Sequence, residues 1–115
     1  MDLDTQHRYR EVLKAVAADL RGRLAGDHEA RDPVSPDRAI GRLSRVDAMQ
    51  AQQVSLAVHR RAQQRLQRVE HALKLIDEGR YGSCTTCGKD IDIARLDVSP
   101  DTFVCVPCLD RLQGR

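Results

Sequence analysis

The sequence predicts a mainly α protein: a long antiparallel helical hairpin, in effect a coiled coil, followed by a small four-cysteine finger and a short terminal helix. Three observations predict it. Apolar residues recur at helical spacing through both halves of the first eighty residues. One Pro- and Asp-rich stretch, "DPVSPDRA" at 32–39, interrupts them. All four cysteines fall after residue 80, in two C-x2-C pairs. Only three residues are aromatic (Tyr9, Tyr81 and Phe103) while 31% are charged, a balance that favours long amphipathic helices over a thick core.

The first helix is expected from about Asp4 to Ala25. Tyr9, Leu13, Val16 and Leu20 step by 4, 3 and 4, which puts them on one stripe. Gly26 is the expected stop, since glycine accepts the left-handed conformation without a Cβ penalty. Residues 27–35 then connect. Ser35 is placed to cap a second helix, Pro36 suits its first position, and Asp37 sits where the helix dipole favours an anion. That helix is expected to run to Glu78 and stop at Gly79. Its stripe reads Ile40, Leu43, Val46, Val54, Val58, Ala62, Leu66, Val69, Leu73 and Ile76. A helix of this length needs a packing partner, and the first helix is the nearest one. Residues 1–80 therefore form the hairpin, with its tip at 27–38, and residues 81–115 form the finger and terminal helix.

The finger carries the chemistry. Cys84-Thr-Thr-Cys87 and Cys105-Val-Pro-Cys108 stand 17 residues apart, the spacing of two knuckles that close a tetrahedron around one zinc ion. Four cysteine ligands leave no open position for water, so the zinc is structural and the chain is expected not to be an enzyme. Gly88 supplies the tight turn after the first knuckle. Ile91, Ile93, Leu96, Phe103 and Val104 make an apolar cluster too small to fold without the metal. A redox dithiol is the competing reading of a single C-x-x-C, but two pairs at this spacing, with no βαβ pattern, favour zinc. His7, His28, His59 and His71 are not needed as ligands and are expected to be exposed.

Charge narrows the partners only locally. The formal net charge is +2, and counting four thiolates and one divalent ion brings it to zero. Arg61, Arg65 and Arg68 recur at i, i+4 and i+7, so they share one helix face. They are either a solvated basic flank or a docking surface for an acidic partner. A nucleic-acid-binding zinc ribbon is the alternative reading of the finger. Asp90, Asp92, Asp97, Asp101 and Asp110 make the finger acidic and argue against sequence-specific DNA as a partner. No apolar run approaches the ~20 residues of a membrane span, and "MDLDTQHRYR" has no apolar h-region, so a cytoplasmic protein without membrane contact is expected.

The segment "CTTCGKDIDIARLDVSPDTFVCVPC" resembles the finger of the DksA/TraR family of bacterial RNA polymerase regulators. The pattern C-x2-C-x3-I-x3-R-x4-P-x4-C-x2-C is met at Cys84, Cys87, Ile91, Arg95, Pro100, Cys105 and Cys108. The resemblance implies a monomer that binds the polymerase and inserts its hairpin tip into the secondary channel, rather than binding promoter DNA. The family's tip carries two aspartates, the second followed by Arg-Ala. Asp37, Arg38 and Ala39 match the second aspartate and the Arg-Ala pair after it. The first falls at Val34, and Asp32 is the nearest acid. The resemblance also places Arg61 and Arg68 at basic positions used against the polymerase rim and guanosine tetraphosphate. Two further nucleotide-contacting positions fall at Ser99 and Leu109, which are not basic, so weak binding of guanosine tetraphosphate, or none, is expected.

Overall fold

The computed structural model describes residues 1–26 and 41–114, with side chains described from residue 45 onward in the second segment. The expected tip residues Asp32, Asp37, Arg38 and Ala39, and also His28, Ile40 and the side chain of Leu43, lie outside the described residues. Among the described residues, four helices follow one another: α1 (Leu3–Gly26), α2 (Gly41–Asp77), α3 (Ile93–Val98) and α4 (Val106–Leu112). Helices α1 and α2 pack against each other, and the longest axis of the molecule is 60 Å against 33 and 20 Å for the others.

Helix α1 begins with a side-chain cap. Asp2 Oδ1 accepts the Thr5 N–H at 2.7 Å, and hydrogen bonding from the Thr5 side chain, then from that N–H, holds the Asp2 carboxyl below its ordinary pKa. Its buried face is Tyr9, Leu13, Ala17 and Leu20. Gly26, expected to stop the helix in a left-handed conformation, is still helical and has no positive φ. At the far end of α2 the expected stop is present in full. Gly79 has φ 72°, its N–H donates to Ile76 O at 3.1 Å, and the Arg80 N–H donates to Leu75 O at 2.8 Å. These two bonds satisfy carbonyls the helix would otherwise leave open.

The seam of α2 differs from the expected stripe in its first half. One run of buried and half-buried positions, Ala48, Gln52, Ser55, His59, Ala62, Leu66, Val69, Leu73 and Ile76, alternates steps of four and three, flanked by half-buried Leu56 and Ala57 and by buried Ala72 and Leu75. Val46, Val54 and Val58 are not on it: they are 46%, 64% and 53% exposed. The reason is geometric. Each i−4 step from Ala62 turns about 40° past a full helical turn, so Val58 and Val54 rotate progressively away from α1. His59, expected to be exposed, takes the seam position and is buried. The distal seam is therefore small and polar, with Leu56 half-buried beside it, while Val46, Val54 and Val58 face outward.

The core lies at the opposite end. Val69, Ala72, Leu75 and Ile76 of α2 meet Tyr9, Leu13, Ala17 and Leu20 of α1, and the same cluster continues into Tyr81, Cys84, Ile91, Leu96 and Cys108. Hairpin and finger thus share one core. Ile93, expected in the finger's cluster, is 48% exposed; it starts α3 and lines a shallow cleft with Met1 and Gly82. Arg10 and Asp77 pair across the two long helices at 2.7 Å, and Arg21 and Glu70 at 3.6 Å.

The seam assignment is testable by truncation. Leu13→Ala removes a fully buried side chain and is expected to cost about 2–5 kcal/mol in denaturant unfolding. Val58→Ala, on the outward face, is expected to change stability by no more than about 0.5 kcal/mol in the same experiment.

Candidate metal centre and its joint with the hairpin

The first knuckle is built by backbone. Gly88, at φ 78°, donates its N–H to Cys84 O at 2.9 Å, closing the turn that Cys84 and Cys87 flank. The N–H groups of Thr86 and Cys87 point at Cys84 Sγ, at 3.4 and 3.5 Å. A short antiparallel contact, Ser83 with Asp90, carries the chain away from the turn, with Cys84 N–H on Lys89 O and Ile91 N–H on Gly82 O, both 2.8 Å. The second knuckle is the start of a helix. Cys105 precedes the first residue of α4, Pro107 occupies its first turn, and Cys108 is carried inward one turn later.

These two turns bring the four sulfurs together. All four Sγ atoms lie within 4.8 Å of one another, and those of Cys87 and Cys105 are 3.6 Å apart. A disulfide would require about 2.05 Å. A tetrahedral zinc with bonds of about 2.3 Å requires sulfurs roughly 3.8 Å apart. The donor set and its spacing therefore fit one structural zinc held by Cys84, Cys87, Cys105 and Cys108. The four cysteines are unequal: Cys84 and Cys108 are buried, Cys105 is half-buried and Cys87 is exposed. Backbone N–H groups of Cys105, Cys87 and Thr86 pull the pKa of Cys84 down to about 5. Burial pushes that of Cys108 up to about 12.

Between the knuckles, the loop and α3 hold the groups that lock the finger to the hairpin. Tyr9 of α1 donates its hydroxyl to Asp97 Oδ1 at 2.5 Å, with Arg8 3.5 Å from the same oxygen. Arg68 of α2 donates its Nε–H to Asp101 Oδ2 at 3.1 Å, and Ser99 donates its hydroxyl to Asp101 Oδ1 at 3.2 Å. Asp101 is only 4% exposed, so its charge is balanced inside the joint rather than added to the surface. Tyr81 is buried, donates to Pro100 O at 2.7 Å, and stacks at a tilt on Tyr9 with centroids 5.5 Å apart. His71 is exposed as expected, with its ring edge-on to Phe103 at 4.6 Å.

The structure distributes the expected basic face. Arg61 and Arg65 are exposed and have no ion-pair partner among the described residues. Arg68 is committed to Asp101. It also lines a cleft of about 290 Å³ with Arg95, Ser99, Asp101, Phe103 and Leu109. Sequence reasoning did not find the Tyr9–Asp97, Arg68–Asp101 and Tyr81–Pro100 bonds. These pairs are 88, 33 and 19 residues apart, and no local pattern joins them. Among the described residues no helix is long and apolar enough to cross a membrane.

Comparisons with known proteins agree with this geometry. Residues 79–114 match the model of the prokaryotic DksA/TraR C4-type zinc finger. DksA of Escherichia coli K12, named an RNA polymerase-binding transcription factor, is 28% identical over 108 residues, covering 87% of this chain and 66% of its own length. The protein of the same name from Salmonella typhimurium is 32% identical over the same coverage. The solved structure of transcription factor DksA2 from Pseudomonas aeruginosa superposes with a TM-score of 0.78 at 26% identity, over 100% of this chain and 88% of that one. The DnaK suppressor protein of Agrobacterium tumefaciens superposes at 0.57 with 26% identity, over 96% and 94%. Fold and site define a helical-hairpin protein with a four-cysteine zinc finger at its base. The chain belongs to the DksA/TraR family. It spans about two thirds of the length of the curated relatives it matches, 66%.

The centre and its joint generate two expected outcomes. Zinc removal by a chelator is expected to abolish the ordered finger while leaving most of the far-ultraviolet helical signal, which α1 and α2 carry. Dispersion of the amide resonances of residues 81–112 would show the loss directly. Burial raises the pKa of Tyr81 above its ordinary value of 10.0, and burial with donation to Asp97 raises that of Tyr9. A raised folded-state pKa gives stability that is complete below the unfolded value and is lost as pH climbs through the folded one. Alkaline unfolding is therefore expected only above about pH 10, with a shallower pH dependence in Tyr81→Phe, followed by circular dichroism.

Proposed function

We propose that this protein is a non-enzymatic, cytoplasmic transcription regulator that binds bacterial RNA polymerase as a monomer. Its zinc finger steadies the base of the hairpin at the rim of the secondary channel, and the hairpin carries its tip inward to modulate initiation. The observation that carries this reading is the architecture itself: a long two-stranded rod locked at one end to a four-cysteine finger, in a fold that superposes on the DksA2 structure over the whole of this chain. Relatives over most of the chain are named RNA polymerase-binding transcription factors. The acid that acts at the tip is Asp37, with Arg38 and Ala39 beside it and Asp32 as a secondary acid. Near a magnesium-dependent active centre, a carboxylate competes for the contacts that position metal and substrate phosphates.

Exposed Arg61 and Arg65 form the docking face, with Arg68 at its edge, held by Asp101. Charge complementarity of this kind chiefly sets the rate of encounter and its salt dependence. The cleft beside Arg68 is a poor site for guanosine tetraphosphate. Arg68 is already neutralised by a buried carboxylate, and Ser99 and Leu109 add no positive charge. The finger's exposed Asp90, Asp92, Asp97 and Asp110 disfavour a nucleic-acid role.

The test is transcription in vitro with core polymerase, a sigma factor and a sensitive promoter. Asp37→Asn is expected to bind polymerase but to lose most of the effect on promoter output. Arg61→Ala with Arg65→Ala is expected to weaken binding about tenfold. Added guanosine tetraphosphate is expected to change the protein's effect little. A factor known to occupy the secondary channel should displace the protein; coexistence of the two on one polymerase would refute the placement.

A further inference from the structure

The geometry points to Arg111 as the charge-compensating donor of the metal centre, a residue that sets how firmly the zinc is held. This inference rests on the cysteine cluster and is independent of the polymerase reading. Arg111 Nη2 lies 3.0 Å from Cys108 Sγ. The two residues are three apart on α4, so the helix places them on one face and the guanidinium reaches back over the sulfur. Among the described residues, Arg111 is the only side chain outside the four cysteines that donates to one of their sulfurs.

Two kinds of donor therefore serve the centre. The N–H groups of Thr86 and Cys87 on Cys84 come with the knuckle backbone and are indifferent to side-chain identity. The bond to Cys108 exists only because residue 111 is an arginine. Four thiolates around one divalent zinc carry a net charge of −2, and the finger's surface adds Asp90, Asp92 and Asp110. Cys108 is 1% exposed, so water does little to spread its share of that charge. A guanidinium stays protonated at any physiological pH and is weakly hydrated, which suits it to a buried anionic sulfur. Its N–H draws electron density from the sulfur and fixes the Cys108 rotamer toward the other three. Partners of this kind typically change metal affinity by about 10–100-fold.

The experiment uses the full chain with Arg111→Gln and Arg111→Lys. Zinc retention is read by competition with a chromophoric chelator, and the folded state of each zinc-saturated variant by circular dichroism. Arg111→Gln is expected to hold zinc about 10–100-fold less tightly, with Arg111→Lys between it and the parent. Cobalt(II) substitution gives a second readout that a purely structural role would not move. Without the donor the sulfur is more electron-rich, so the sulfur-to-cobalt charge-transfer band of Arg111→Gln is expected at lower energy. Unchanged zinc retention in Arg111→Gln would overturn the inference. So would weakened retention with an unmoved charge-transfer band, because Arg111 would then act on the fold of α4 rather than on the sulfur.

Discussion

The convergence of four sulfurs within 4.8 Å is the constraint on which the other contacts depend. It joins two short turns separated by 17 residues of chain, in a segment whose buried aliphatic side chains are Ile91 and Leu96 alone. Closing that loop determines where α3 and its flanking turn sit. Those in turn present Asp97 to Tyr9 and Asp101 to Arg68. The hairpin is thus held at its base by acids whose positions are set by a metal they do not touch. A finger folded by hydrophobic burial alone would need a larger core than its length provides.

This arrangement also explains why the finger is acidic in sequence yet tightly joined to a helix rich in arginine. Asp101 is buried against Arg68, and Asp97 takes a tyrosine hydroxyl and a nearby arginine. Removing Arg68 strands the buried Asp101 carboxylate, and removing Asp97 strands the buried Tyr9 hydroxyl, each costing more than the pair itself contributes. The acids left outside, Asp90, Asp92 and Asp110, give the finger's outer surface its character.

Local chemistry was well legible in the sequence. The C-x2-C spacing led to the cysteine cluster, Gly88 to the knuckle turn, and Gly79 to the end of α2, because each is a short-range pattern with one geometric solution. The two long helices were legible for the same reason. The facing of α2 was only half legible. From Ala62 to Ile76 strong aliphatics mark the seam, whereas before Ala62 the seam holds Gln52, Ser55 and His59, and outward-facing valines offer a false stripe. The joint could not be read at all, since its bonds link residues that only the tertiary fold brings together. Arg111 had a signal that went unused: an arginine one helical turn beyond a cysteine ligand lies on the ligand's face.

The graded seam gives the two-stranded rod unequal stiffness along its length. Near the finger, Leu13, Val69, Leu75 and Tyr9 interlock, and sliding one helix over the other there would open voids. Past Ala62 the facing positions are small or hydrogen-bonding, so a slight splay or bend sacrifices little packing. A lever built this way is rigid at its mount and compliant farther out, so a load on its far end bends the shaft before it disturbs the mount.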